Sequence, residues 1–169
     1  MTSIHNWHRY FMTMAYLVAT KSKDPSTKVG AVIVGPDMEI RSTGYNGLPR
    51  GLEDSEERYF SDLKYNLINH AEENAILHCA RIGVSSKNCS IYVPWVPCSL
   101  CAKSIIQAGI KEVIYHREWP GNNNDKTDWA ESIMLSKQMF LEVGLSLIEY
   151  SGPLTHIKGY YQKKEFEVY

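Results

Sequence analysis

The chain lacks the long apolar runs and the excess of basic charge that define two large classes of protein. No stretch approaches the roughly 18 apolar residues of a membrane-spanning helix, and the first ten residues have no apolar core like that of a signal peptide. Eighteen Lys and Arg against 19 Asp and Glu give a net charge of −1, whereas proteins that bind long DNA or RNA usually carry a basic excess. We therefore predict no membrane segment, no nucleic acid polymer as partner and a cytoplasmic location.

The chain is also poor in cysteine and contains no internal repeat or low-complexity segment. Four cysteines in 169 residues are too few for a small disulfide scaffold, so reduced thiols are expected. The length favours one domain over residues 1–169, with a core at about 5–150. The tail at 151–169 has weak periodicity and no assigned structure.

Hydrophobic periodicity predicts helices that alternate with strands. Helices are expected near 7–21, 70–82, 99–108 and 128–143, and strands near 29–34, 40–45, 89–93, 113–115 and 145–150. The first two strands are predicted to be antiparallel. This alternation indicates a three-layer α/β/α fold around a five-stranded mixed sheet.

Residues 46–68 form an unusually long connection between a predicted strand and a predicted helix. A connection of 23 residues exceeds the usual length, which indicates a functional or interface loop, with room for a short helix of its own.

Two short motifs carry the chemistry: HAE at residues 70–72 and PCSLC at 97–101. His70, Cys98 and Cys101 supply the nitrogen and sulfur ligands of a tetrahedral zinc site with one position left open for water. Both motifs fall at predicted helix starts, where the helix dipole favours thiolates. Glu72 lies on the same turn as His70 and is placed to carry a proton between water and substrate.

The motifs have other interpretations. The CxxC pair alone also occurs in thioredoxin-like redox proteins. A purely structural zinc would need a fourth protein ligand, for which the candidates are Cys79, Cys89, His78 and His116. Cys79 and Cys89 are otherwise interpreted as core residues, because a free cysteine packs as a small hydrophobe.

The two motifs together form the signature of zinc-dependent nucleobase deaminases, and four longer segments resemble one branch of that superfamily, the deoxycytidylate (dCMP) deaminases. The resemblance covers about residues 5–150. Sequences of this compact type are common in bacteriophages, so one expectation is a viral protein located in the host cell cytoplasm. The matching segments are DPSTKVGA at 24–31, GYNGLPRG at 44–51, HAEENAI at 70–76 and CAKSIIQAGI at 101–110.

The resemblance implies a cytidine deaminase-like fold and the conversion of dCMP to dUMP and ammonia, which feeds dTTP synthesis. It assigns His70, Cys98 and Cys101 to zinc and Glu72 to proton transfer. It further implies substrate-binding roles for three residues, Asn46, Ala71 and Trp119. Trp95, an unusual residue for the family at this position, is interpreted as a packing residue.

The resemblance also implies regulation and assembly. Many relatives are activated by dCTP with Mg²⁺ and inhibited by dTTP at a second site, and they are typically homohexamers. Arg50 offers a bidentate fork for phosphate, and the glycines of its loop let the backbone approach a ligand; a plain glycine-rich turn at a subunit contact is the alternative. The candidate effector residues are Gly44, Tyr45, Gly47, Arg50 and Arg81.

Two other functions stay open at this point. The first is a zinc deaminase of the same fold that acts on dCTP, cytidine, guanine, a riboflavin intermediate or tRNA adenosine, although near-neutral charge weighs against tRNA. The second is a non-catalytic nucleotide-binding module. Glu72 argues against the second, because a binding protein does not need a proton carrier.

Overall fold

The computed structural model describes residues 6–61, 63–123, 129–162 and 164–167. The helices are α1 Trp7–Ala19, α2 Glu56–Phe60, α3 Lys64–Leu67, α4 Ala71–Ile82, α5 Ser99–Gln107 and α6 Ala130–Glu142, with a 3₁₀ turn at Pro120–Asn123. The strands are β1 Gly30–Val34, β2 Ile40–Tyr45, β3 Ser90–Val93, β4 Glu112–His116, β5 Ser146–Tyr150, β6 Lys158–Tyr161 and β7 Lys164–Glu167.

The first five strands form one mixed sheet in the order β2-β1-β3-β4-β5. β1 runs antiparallel to β2 and to β3, while β3, β4 and β5 are parallel to one another. This arrangement confirms the predicted fold class, and the predicted elements agree with the structure to within two or three residues. Residue 128, the predicted start of the fourth helix, lies outside the described residues. No helix in the described ranges has the length and apolarity needed to cross a membrane.

Helices cover both faces of the sheet and bury separate apolar clusters. On one face α1 packs Phe11 against Val32 of β1. On the other face α4, α5 and α6 contribute Ala75, Ile105 and Phe140 to a larger cluster. Every residue of β1 is buried because the strand is central and is covered on both sides, which explains its continuous apolar run.

Two glycines allow the helices to approach the sheet closely. A Cβ at Gly30 would lie 2.2 Å from the carbonyl oxygen of Ala15 in α1. A Cβ at Gly44 would lie 2.3 Å from the carbonyl oxygen of Ala71 and 2.3 Å from the amide nitrogen of Ala75 in α4. Gly44 therefore sets how near the start of α4 lies to β2.

The long connection at 46–68 contains α2 and α3, in agreement with the prediction of a short helix in this loop. Its two ends are joined, because Gly47 and Asn69 exchange backbone hydrogen bonds of 3.1 and 3.0 Å. The loop is therefore closed at its base, and α3 is brought back beside the start of α4.

The tail, for which the sequence predicted no structure, contains the antiparallel pair β6–β7. The segment before this pair is tied to α1. Arg9 Nη2 donates to the carbonyl oxygen of Leu154 at 3.1 Å, and the amide of Thr155 donates to Thr13 Oγ1 at 2.8 Å. These contacts join residues that are far apart in sequence, so local hydrophobic periodicity could not predict them.

We predict that Gly44→Ala lowers the free energy of unfolding by about 2–3 kcal/mol, because its methyl group would collide with the backbone of α4. Gly47→Ala is the matched control, since a Cβ there meets only the Tyr45 ring at an ordinary 3.6 Å. Chemical denaturation of the two variants checks the prediction, and equal stabilities would contradict it.

Candidate metal centre and active site

Two helix N-termini meet at the edge of the sheet where β3 ends. His70 is the N-cap residue of α4, and Cys98 is the N-cap residue of α5, with Cys101 in the first turn of the same helix. Helix N-termini present unpaired amide groups and a positive dipole end, which stabilise thiolates. The predicted placement of both motifs at helix starts is thus found in the structure.

The ligand atoms lie at the spacing that zinc requires. His70 Nδ1 is 3.4 Å from Cys98 Sγ and 3.4 Å from Cys101 Sγ, and all three atoms lie within 4.8 Å of one another. Tetrahedral zinc, with bonds near 2.0 Å to nitrogen and 2.3 Å to sulfur, separates such atoms by about 3.6 Å. The three side chains therefore fit a zinc ion with little rearrangement.

The electrostatics of the cluster favour a cation. Hydrogen bonds from Cys101 and then from His70 lower the pKa of Cys98 to about 4, in spite of its burial. The hydrogen bond to Cys98 raises the pKa of His70 to about 9, and the thiol of Cys101, which donates to Cys98, has a raised pKa. The hydrogen bonds to Cys98 therefore favour its thiolate form before any metal binds. A divalent ion at the centre would replace the protons that these three groups share.

Glu72 lies in the first turn of α4 and is almost fully buried, with 5% of its surface exposed. Burial raises the pKa of its carboxyl group to about 7. A carboxyl group that titrates near neutral pH both accepts and returns protons efficiently. Its side chain lines the same cavity as His70 and Cys98.

The cavity has a volume of about 180 Å³ and reaches from the metal cluster to the long loop. Of the predicted substrate-binding residues, Asn46 and Ala71 line it. The Asn46 side chain accepts from the amide of Val29 at 2.8 Å and donates to the carbonyl oxygen of Thr27 at 2.9 Å. Asn46 therefore also fixes the chain segment that enters β1.

Trp119, the third predicted substrate-binding residue, does not line this cavity. Its ring packs between Tyr16, at 5.9 Å between ring centroids, and Trp95, at 6.3 Å. The tryptophans that line the cavity are Trp95 and Trp129, and Trp129 lies edge-on to His70 at 5.6 Å. Trp95 thus packs, as the sequence suggested, and also forms part of the wall.

Most of the cavity lining was not predicted from the sequence, and Trp129 and Lys64 are two examples. Trp129 directly precedes α6, more than 25 residues beyond the metal motif, and nothing in its spacing points to His70. Lys64 begins α3 inside the long loop. The length of that loop was the signal that it contributes to function, but only the folded path shows which of its residues reach the cavity.

The candidate effector residues lie outside the cavity lining. Gly44 is buried against α4, where close packing leaves no space for a side chain. Gly47 forms the β-bridge to Asn69 that closes the base of the loop. Tyr45 and Arg50 are exposed. Arg81 is exposed in the last turn of α4, at the end of the helix away from the metal, as its spacing predicted. These five positions do not converge with the metal cluster.

Comparison with known proteins gives a consistent result. The family described as the cytidine and deoxycytidylate deaminase zinc-binding region matches residues 5–117. The chain is 39% identical over 159 residues to deoxycytidylate deaminase of Mus musculus, covering 89% of this chain and 83% of that protein. It is 46% identical over 117 residues to the Homo sapiens deoxycytidylate deaminase, covering 64% of each. The aligned part thus spans somewhat less than two thirds of the human protein.

A solved structure agrees with the sequence matches. The dCMP deaminase of the cyanophage S-TIM5, crystallised in complex with dCMP and dUMP, superposes with a TM-score of 0.63 at 26% identity. The superposition covers 83% of this chain and 94% of the cyanophage chain. The three-layer fold, the His/Cys/Cys cluster and the buried glutamate beside it together define a zinc-dependent hydrolytic deaminase. The chain belongs to the cytidine and deoxycytidylate deaminase family.

We predict that Cys98→Ser weakens zinc binding at least about 100-fold, since even residues that only support a ligand are worth about 10–100-fold in metal affinity. Zinc content after gel filtration, and competition with a chelator, measure the loss. Cys79→Ser is the control, because Cys79 is a buried thiol of α4 outside the cluster. Equal zinc retention by both variants would contradict the assigned ligand set.

Proposed function

We propose that this protein deaminates dCMP hydrolytically to dUMP and ammonia and so supplies dUMP for dTTP synthesis. The observation that carries the proposal is the buried Glu72, which shares one cavity with the His70, Cys98 and Cys101 cluster. Similar proteins support the proposal. The mouse and human relatives are deoxycytidylate deaminases, and the cyanophage relative binds dCMP and dUMP.

His70, Cys98 and Cys101 would hold the zinc ion. When bound, zinc supplies a Lewis acid that makes water nucleophilic near neutral pH. With only three protein ligands, a bound zinc ion would have room for a water molecule, whereas a structural zinc site would take a fourth protein side chain. Among the described residues, no further His, Cys, Asp or Glu belongs to the cluster.

Glu72 moves the protons of the reaction. Its carboxylate takes a proton from the attacking water, and the resulting acid delivers it to N3 of the pyrimidine as oxygen bonds to C4. Glu72 then carries the remaining proton of that oxygen to the exocyclic amine, and the C4–N bond breaks to release ammonia and leave the carbonyl of dUMP. Burial raises the pKa of Glu72 and so favours its protonated form, which a group that must act as base and acid in one turnover requires.

The walls of the cavity hold the base in an apolar setting. Trp95, Val96 and Trp129 line the side near the metal ligands. Aromatic walls exclude water and offer a flat surface to a pyrimidine ring. Asn46 and Ala71 face the same cavity and are proposed to contact the nucleotide.

We predict that Glu72→Gln lowers the rate of ammonia release from dCMP by about 10²–10⁴-fold, because the amide cannot transfer the protons, while zinc content is retained. Glu73→Gln is the matched control. It changes the neighbouring carboxyl group of the same helical turn, which does not line the cavity. Coupled measurement of ammonia release and zinc content on both variants checks the prediction.

Three outcomes would decide against the proposal or refine it. Undiminished turnover by Glu72→Gln would remove Glu72 from proton transfer. Zinc-loaded protein that releases no ammonia from dCMP, but does so from dCTP, cytidine or guanine, would replace the substrate. Protein that binds nucleotides without releasing ammonia from any of them would support the non-catalytic module instead.

Activation by dCTP with Mg²⁺, inhibition by dTTP and assembly into a homohexamer remain predictions from the resemblance. A cytoplasmic location remains a prediction from the sequence. The exposed guanidinium of Arg50 supports an effector phosphate site outside the cavity, because arginine binds phosphate bidentately.

We predict that Arg50→Ala shifts the concentrations of dCTP and dTTP needed for half-maximal effect upward by about tenfold, because a charge-assisted contact to phosphate is lost. Zinc content should not change. Initial rates at fixed dCMP, with each effector titrated, measure the shift, and Arg58→Ala in α2, a half-buried arginine of the same loop, serves as the control. Identical titration curves for the wild type and Arg50→Ala would remove Arg50 from this role.

A further inference from the structure

The start of α6 contacts both of the motifs that supply the metal ligands. Trp129 is the N-cap residue of α6, and Ser132 lies in the first turn of that helix. Trp129 packs against the ring of His70, and Ser132 forms hydrogen bonds to the residue that follows Cys98. Neither Trp129 nor Ser132 belongs to the ligand cluster, so each acts on a ligand from outside.

Ser132 completes the N-terminus of α5. The free N–H groups of a helix N-terminus are usually capped by a side-chain oxygen at the N-cap position. Cys98 occupies this position in α5, but it has no side-chain oxygen, and its sulfur faces His70 Nδ1. Ser132 Oγ instead accepts a hydrogen bond of 2.9 Å from the amide of Ser99 and lies 2.9 Å from Ser99 Oγ. A second helix thus supplies the cap and fixes the backbone directly beside Cys98.

Trp129 restrains the imidazole ring of His70. A metal-binding histidine usually donates its second N–H group to a fixed acceptor, which sets the orientation of the ring. The two hydrogen bonds of His70 found among the described residues both use Nδ1, the atom that faces Cys98 and Cys101. The Trp129 ring packs against the imidazole at 5.6 Å between centroids and at an angle of 70°. This edge-to-face contact opposes rotation of the imidazole.

Trp129 also contacts the segment that leads into the second motif. Its ring lies 6.3 Å from the ring of Trp95, at an angle of 74°, and Trp95 comes three residues before Cys98. The helix that begins at this point is anchored in the core, because Phe140 of α6 is buried in the larger apolar cluster. The contacts to the ligands are therefore made from an element that the core holds in place.

We propose that Trp129 and Ser132 are positioning residues of the metal centre. Ser132 fixes the backbone beside Cys98, Trp129 fixes the ring of His70, and together they hold the ligands at the spacing of zinc before the ion binds. Ligands whose conformations are fixed by packing and by supporting hydrogen bonds bind a metal with less reorganisation. The inference rests on the metal centre of the proposed function and does not depend on the identity of the substrate.

The zinc affinity of the whole chain tests the role of Ser132 without any turnover. We expect Ser132→Ala to weaken zinc binding about tenfold in competition with a chelator, since residues that support a ligand are worth about 10–100-fold in affinity. Ser132→Thr keeps the hydroxyl oxygen and should retain most of the affinity.

Ser136→Ala is the matched control for Ser132→Ala. It makes the same substitution one turn further along α6, at a fully buried hydroxyl group that has no hydrogen-bond partner among the described residues. Zinc affinity should not change in this variant, because its hydroxyl group does not cap α5.

The absorption spectrum of the Co²⁺-loaded protein separates positioning from a general loss of stability. Co²⁺ replaces zinc in tetrahedral sites, and its visible bands depend on the geometry of the ligands. Ser132→Ala and Trp129→Leu should both shift these bands, and Trp129→Leu should also weaken zinc binding about tenfold. Trp129→Phe keeps an aromatic ring beside His70 and should largely preserve the wild-type spectrum. A substitution that only destabilises the fold would leave the spectrum of the folded, loaded protein unchanged.

The outcomes separate this inference from the proposed function. Weaker zinc binding together with shifted Co²⁺ bands supports the inference, whether or not dCMP is deaminated. A wild-type Co²⁺ spectrum in either variant would overturn the positioning role of that residue, with or without a loss of zinc affinity. If Trp129→Leu fails to fold, which circular dichroism would show, Ser132→Ala and its control decide the question. Wild-type protein that binds zinc but deaminates no cytosine nucleotide would overturn the proposed function alone.

Discussion

The site depends on the close approach of α4 to the sheet. Gly44 has no side chain, so the backbone of α4 lies against β2, and the N-terminus of that helix is held beside the end of β3. His70, at this N-terminus, then faces Cys98 and Cys101 at the start of α5 at 3.4 Å. A small outward shift of α4 would separate the imidazole from the thiolates and would also withdraw Glu72, which lies on the same turn.

A second constraint comes from polar groups at the same edge of the sheet. Asn46, directly after β2, holds the segment before β1 through hydrogen bonds to Val29 and Thr27. Asp24 in that segment binds Lys64 of the long loop. β1, β2 and the loop therefore form one cavity wall, and groups from distant parts of the chain are fixed by short, buried contacts.

Much of this organisation could be predicted from the sequence, and the reasons are local. Apolar periodicity depends on neighbouring residues, so the helices and strands of the sheet were located within two or three residues. The spacing of His70, Glu72, Cys98 and Cys101 reflects ligand geometry at helix starts, so the metal centre could be proposed without coordinates. Spacing could not show whether Trp119 lines the cavity, because the packing of an aromatic ring depends on neighbours that are far apart in sequence.

The sequence by itself determined the fold class, the family and the chemistry of the centre, because these follow from periodicity and from a compact set of ligand-forming motifs. Only the tertiary structure decided which side chains form the rest of the cavity. Trp129 reaches His70 because α6 packs beside α5, and Lys64 reaches Asp24 because Gly47 and Asn69 close the long loop. Such contacts join residues with no fixed separation along the chain, so they exist only after the elements have packed.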